Sequence, residues 1–329
     1  MLTEPVKALL RQLADKYETP SFSDGDPSFV LKRYPYAADT ECAALIAAVL
    51  SFGRREQFLK KIEYILSLAD KSGGPALWIH SGDFETTFLS GYSSYSKTCR
   101  PPDANDKFYR FYSFSDFLQF FRCLQKIYLQ DKRFCGSQAS SAGTESSASS
   151  AITGSQASSV CDGSRAEPAD KTGEAGKADT ACSPADDACS RDICVLGDYF
   201  SKKEKNGFYA EMIAEEFSGC RVIPHGKNCA NKRINMFLRW MVRRNSPVDT
   251  GLWNWIDPSE LIVPLDVHVF NQAAELGILP ASEKKASKTG GTIKDALLIT
   301  ESLKEIWPDD PCKGDFALFG YDIDKKNKN

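Results

Sequence analysis

Apolar residues recur at helical spacing along most of the chain. In Pro5 to Tyr17, Val6, Leu9, Leu10 and Leu13 share one face. The run CAALIAAVLSF, residues 42–52, is almost continuously apolar; it predicts a buried helix with Asp39 as N-cap and an end near Gly53. Arg54 to Leu68 resumes with Phe58, Ile62, Ile65 and Leu66 on one side. Short helices are predicted at 75–80 and 83–89, and a longer one from Asp116 to Tyr128 after a serine cap. FYRFYSF, residues 108–114, is the one strand candidate. Further helices are predicted over Gly207–Phe217, Asn231–Arg244, Asp266–Leu276 (closed by Gly277), Thr292–Ile306 and Gly314–Tyr321. The pattern predicts an all-α fold of short helices and short loops.

Composition changes abruptly at residues 137–190. That stretch is dominated by Ser, Ala, Gly, Thr and Asp and has no aromatic residue. It has too little apolar surface to offset its ordering entropy, so a disordered insertion is expected. Its net charge is −5, and the rest of the chain carries 38 basic against 36 acidic residues. The expected organisation is a first helical part at 1–136, the insertion at 137–190, a second helical part at 191–322 and a disordered tail at 323–329.

The net charge of −3 excludes a uniformly basic nucleic-acid binder. No apolar stretch reaches the ~20 residues of a membrane span, and Met1 to Tyr17 lacks the apolar core of a signal peptide. A cytoplasmic protein without a membrane partner is expected. Eleven cysteines occur without a C-x-x-C pair, and several fall inside apolar helical patterns, as expected of reduced core thiols. Cys182, Cys189 and Cys194 lack a convincing fourth ligand, so neither an iron–sulfur cluster nor another metal or cofactor is expected.

The charge is strongly one-sided at residues 217–248, which hold seven basic residues and no acid. Within the helix there, Ile234, Phe237, Leu238 and Met241 form a core face. Lys232, Arg239 and Arg243 follow i, i+7, i+11 on another, after the polar loop IPHGKNCAN. Such a stripe suits phosphate contacts, although taken alone a solvated basic face is the favoured reading. Lys232 opens the helix, where the macrodipole disfavours a cation. That placement suits an amine nucleophile, and no less a phosphate-binding or surface lysine. In LIVPLDVHV, Asp266 is an acid in an apolar run just before a helix, fit for an N-cap, a functional anion or both.

KRINMFL after a glycine-containing loop, followed by PLDVHVFNQAAELGIL, resembles the helix-hairpin-helix DNA glycosylases. By position, Lys232 matches the Schiff-base lysine of that superfamily and Asp266 its catalytic aspartate. They lie 34 positions apart, a spacing similar to that of archaeal 8-oxoguanine glycosylases rather than endonuclease III-like members. The segments LSFGRREQFLKKIEYIL, NKRINMFLRWMVRR, LIVPLDVHV and DPCKGDFALFGYDI resemble a bacterial family of the superfamily that has no assigned reaction. That likeness covers most of 1–135 and 190–322. The chain departs from better-known members in having IPHGKNCANKR where an L-P-G-x-G hairpin is usual, and in having no terminal four-cysteine motif.

The resemblance implies a two-lobed helical fold and a monomer associated with the nucleoid, acting on damaged double-stranded DNA. A nucleotide would flip into a cleft between the lobes, where Lys232 attacks C1′ and Asp266 stabilises developing positive charge, with strand cleavage possible afterwards. Arg54, Arg55 and Gln57 in and after the SFGRR turn, with Lys227, Arg233, Arg239 and Arg243, are the expected DNA contacts. Trp240, His268, Asp315 and Phe319 are the expected pocket residues; core packing accounts equally well for the first two, and a packed terminal helix accounts better for Asp315 and Phe319. The rival expectation is a DNA-binding or damage-sensing module without chemistry on the same fold.

Overall fold

A computed structural model of the chain describes residues 1–96, 102–134, 192–226, 228–279 and 291–326. The predicted insertion at 137–190 lies outside the described residues. In the first half, α1 is Glu4–Tyr17, α2 Ala37–Leu50, α3 Arg55–Lys71, α4 Pro75–Ser81, α5 Phe84–Ser96 and α6 Phe114–Tyr128. In the second, α7 is Val195–Ser201, α8 Tyr209–Glu216, α9 Lys232–Val242, α10 Val267–Glu275, α11 Ile293–Lys304 and α12 Lys313–Lys326. Among the described residues, strand is confined to one antiparallel hairpin, β1 Lys107–Tyr109 and β2 Tyr112–Ser113. The fold is all-α, and no described helix is long and apolar enough to cross a membrane.

All fourteen residues of α2 are buried. Its alanines let neighbours approach closely, and α3, α4, α7, α9 and the 3-10 turn Pro27–Lys32 pack around it. The helix begins after Tyr36, not at Asp39. Asp39 instead caps a neighbour, accepting from the Ala76 amide (3.0 Å) in the first turn of α4. Buried Glu41 does the same for α7, accepting from the amides of Leu196 (3.0 Å) and Gly197 (2.9 Å) and from Trp253 Nε1 (2.6 Å). Asp39 and Glu41 are thus acceptors for helices distant in sequence, each satisfying donors that burial would leave unpaired.

Local signals elsewhere coincide with element ends. Ser113 and Thr292 form capping boxes with Asp116 and Asp295. Gly277, at φ +74°, follows the end of α10 in the left-handed region glycine favours. The final helix runs on to Lys326 instead of stopping at Tyr321, so the expected tail begins too early. Lys325 pairs with Glu275 (2.6 Å), Lys326 with Asp322 (2.5 Å) and Asp324 with Lys16 (2.7 Å), which extends the helix along α10 and α1. Tyr17 lies against Gly320, where no side chain would fit, so the two ends of the described chain pack together.

Candidate active site

Helix α9 opens from a strained turn. Asn231, just before it, is buried and has φ +45° and ψ +41°, a left-handed conformation that Asn tolerates better than most residues. Asn235 Nδ2 closes the turn on the Ala230 carbonyl (2.9 Å). This fixes Lys232 as the first helical residue. Helix α10 opens from Asp266, whose Oδ1 accepts from the amides of His268 (2.9 Å) and Val269 (3.0 Å). Pro264 and Leu265, buried against the core, hold the approach to it.

The two helix starts meet. Lys232 Nζ lies 3.3 Å from Asp266 Oδ2, with each side chain about one-third exposed. Burial works to raise the Asp266 carboxyl, but Lys232, the Val269 amide and His268 more than offset it and hold it below its ordinary range. An ionised carboxylate therefore faces an amine at the junction of two clefts. The narrower, about 370 Å³, is walled by Phe22, Asp315, Phe319 and Asp322. The wider, about 730 Å³, runs past Phe52, Gly53 and the loop leading to Asn231. Asp26, Arg55, Met236 and His268 line both, as Lys232 and Asp266 do.

The narrower cleft has aromatic walls. The Phe22 ring meets those of Phe316 and Phe319 edge-on, at 4.8 and 5.1 Å between centroids. The Arg55 guanidinium lies 5.9 Å from the Phe319 ring. Asp315 pairs with Arg239; burial raises the Asp315 carboxyl, against Arg239 and with Asp266 adding to the rise. His268 is exposed at the mouth, its Nδ1 3.7 Å from Asp322. Among the described residues, no group of three or more His, Cys, Asp or Glu is placed to hold a metal ion.

Of the residues expected to act, Lys232, Asp266, Arg55, His268, Asp315 and Phe319 come together at these clefts. Arg54 and Gln57 are exposed beside them, and Lys227 lies outside the described residues. Two expectations need correction. Arg239 and Arg243 are only 4% and 2% exposed and do not offer a phosphate-binding stripe. Arg239 pairs with Asp249 (3.4 Å) and Asp315; Arg243 pairs with Asp249 (2.5 Å), Glu18 (2.8 Å) and Asp310 (2.8 Å). Burial works against the charge of both guanidiniums, and their carboxylate neighbours more than offset it. Trp240 is fully buried core, not pocket wall. Arg233 is half-buried and lines the wider cleft, donating to the Val49 carbonyl (2.7 Å) and resting over the Phe52 ring at 4.9 Å.

The lining also includes Phe22, Asp26, Met236 and Asp322, which the sequence did not single out. The D-P-S segment at Asp26 carries a capping signal, and Asp26 does accept from the Ser28 amide (3.0 Å). Nothing local places that cap at a cleft. Met236 lies one turn after Lys232 on α9.

A family described as "Protein of unknown function (DUF2400)" matches the chain over residues 26–324. No curated protein and no solved structure matches it.

Proposed function

From the premise that the chain belongs to the DUF2400 family, whose function is unknown, we propose that it is a DNA glycosylase with lyase capability on a helix-hairpin-helix glycosylase-like fold. The observation that carries the reading is the 3.3 Å Lys232–Asp266 pair at the junction of two clefts, each member at the start of a different helix. A damaged nucleotide flips out of the duplex, with its base in the aromatic-walled cleft and its sugar at the junction. Lys232 first loses a proton to solvent. Its Nζ then bonds to C1′ as the C1′–N glycosidic bond breaks; the base leaves with that electron pair and takes up a proton. Asp266 stabilises the positive charge developing on the sugar. The sugar ring then opens to an imine, from which loss of a C2′ proton expels the 3′ phosphate.

The same ion pair supports a second reading. A lysine at the mouth of a cleft is also a phosphate-binding group, and a damage-sensing module needs no more than that.

Borohydride trapping separates the two readings, using lesion-bearing duplexes containing 8-oxoguanine, uracil, oxidised pyrimidines or an abasic site. A covalent complex with one lesion, lost in Lys232→Gln, is the expected result. Absence of trapping and of base release on every lesion, with DNA binding intact, overturns the catalytic reading. In that case Lys232→Gln would lower the salt dependence of binding by about one phosphate contact.

A further inference from the structure

The β1–β2 hairpin leaves an aromatic side chain in water at the rim of the wider cleft. Arg110, with φ +53°, makes the turn and presents Phe111, which is 58% exposed. The other exposed large hydrophobics among the described residues are Met1, Tyr95 and Leu129. The Phe111 ring touches Tyr112 at 4.4 Å and Phe52 at 5.6 Å.

Its backing is rigid. Phe52 is held between Tyr109 (4.9 Å) and Tyr112 (5.6 Å), with Arg233 at 4.9 Å and Arg110 at 5.8 Å from its ring. The Tyr109 hydroxyl donates to the Phe52 carbonyl. Gly53, at φ +89°, lets the hairpin close: a Cβ there would lie 2.4 Å from Arg110 Nη1. Phe52 and Gly53 themselves line the cleft that holds Lys232 and Asp266. One layer of rings therefore separates the exposed face of Phe111 from the cleft. Arg110, next to Phe111 in the chain, and Arg54, next to Gly53, are both exposed.

We propose that Phe111, backed by Phe52, is a stacking platform for the base left unpaired beside the nucleotide in the cleft, with Arg54 and Arg110 on flanking phosphates. This rests on the reading of the cleft as a DNA site. A lone ring framed by cations suits a base in a phosphate chain, whereas a protein partner would need a contiguous apolar patch of several hundred Å². Aromatic stacking on a base tolerates any sequence, and a pre-held ring loses little freedom on binding.

The test uses duplexes with an inert tetrahydrofuran abasic analogue opposite 2-aminopurine, so that no chemistry is needed. Wild type, Phe111→Ala and Phe111→Tyr are compared for affinity and 2-aminopurine fluorescence. Phe111→Ala is expected to bind this duplex about tenfold more weakly, with little change on intact duplex, and to abolish the fluorescence change; Phe111→Tyr retains both. If Phe111→Ala matches wild type in affinity and fluorescence, the platform is overturned, whereas Lys232-dependent trapping would leave the proposed function standing. If wild type binds no duplex, both fall.

Discussion

Lys232 Nζ lies 3.3 Å from Asp266 Oδ2, while Asp266 Oδ1 accepts from two amides of the helix it caps. One carboxylate thus caps α10 and presents negative charge to the cleft, and substitution separates the two roles. Asp266→Asn keeps a good capping residue and should lose less thermal stability than Asp266→Ala while abolishing trapping. Asp266→Ala should also abolish trapping, and lose about 1 kcal/mol of stability. Equal destabilisation by both variants would mean that the charge, not the cap, holds the helix start.

The acid side of the pH profile has a definite sign. The Asp266 carboxyl is lower in the folded protein than its ordinary value of 3.8. Its contribution to stability is therefore full above that value and lost as pH falls through the depressed one. Chemical denaturation from pH 5 downward should show a smaller loss in Asp266→Asn than in wild type; parallel curves would contradict the depressed value.

Arg243 is placed as a structural cation, not a DNA contact. Arg243→Met would leave Glu18, Asp249 and Asp310 without their shared partner. A loss of roughly 3–5 kcal/mol is expected, with the salt slope of DNA binding unchanged. A stable variant with a reduced slope would restore the phosphate-stripe reading.

Lys61 sits among aromatic rings, its Nζ 4.4 Å from the centroid of Tyr92 and 4.7 Å from that of Phe108. Burial lowers its ammonium to about 8. The folded protein thus gives up this proton before the unfolded chain does, and stability should rise with pH above 8. Against Lys61→Met, which lacks the proton, the rise between pH 8 and 9.5 should be on the order of 1 kcal/mol after solvent screening. Equal slopes in the two proteins would show that Lys61 is not the group responsible.

Cys123 on α6 and Cys220 after α8 place their sulfur atoms 3.1 Å apart in the core. The hydrogen bond from Cys220 holds the Cys123 thiol down to about 7, against its burial. Prolonged exposure to oxidised glutathione should join them, with two protein thiols oxidised to one disulfide and the reagent reduced to two thiols. Mass spectrometry should find that linkage, and Cys220→Ser should prevent it. A glutathione adduct on Cys123 without the crosslink would show that the pair cannot reach bonding geometry.

The helices and several of their ends were legible in the chain because they depend on neighbours a few residues away. Apolar spacing marked α1, α3 and α9, and the caps at Ser113, Asp266 and Thr292 needed only their own first turns. The pairing of Lys232 with Asp266 was approached through resemblance and motif position. The spacing of the two residues alone could not bring them together, since each merely starts a helix. Tertiary structure decided the rest. The helical period of α9 separates Arg239 and Arg243 from its apolar face, but it carries no information about which acids wait opposite. Asp249, Asp310, Asp315 and Glu18 arrive from other segments and make that face an interior one. The cleft walls at Phe22 and Asp26, and the rim at Phe111, likewise come from segments without helical periodicity. Their place is set by packing against residues far along the chain, a relation that no local pattern encodes.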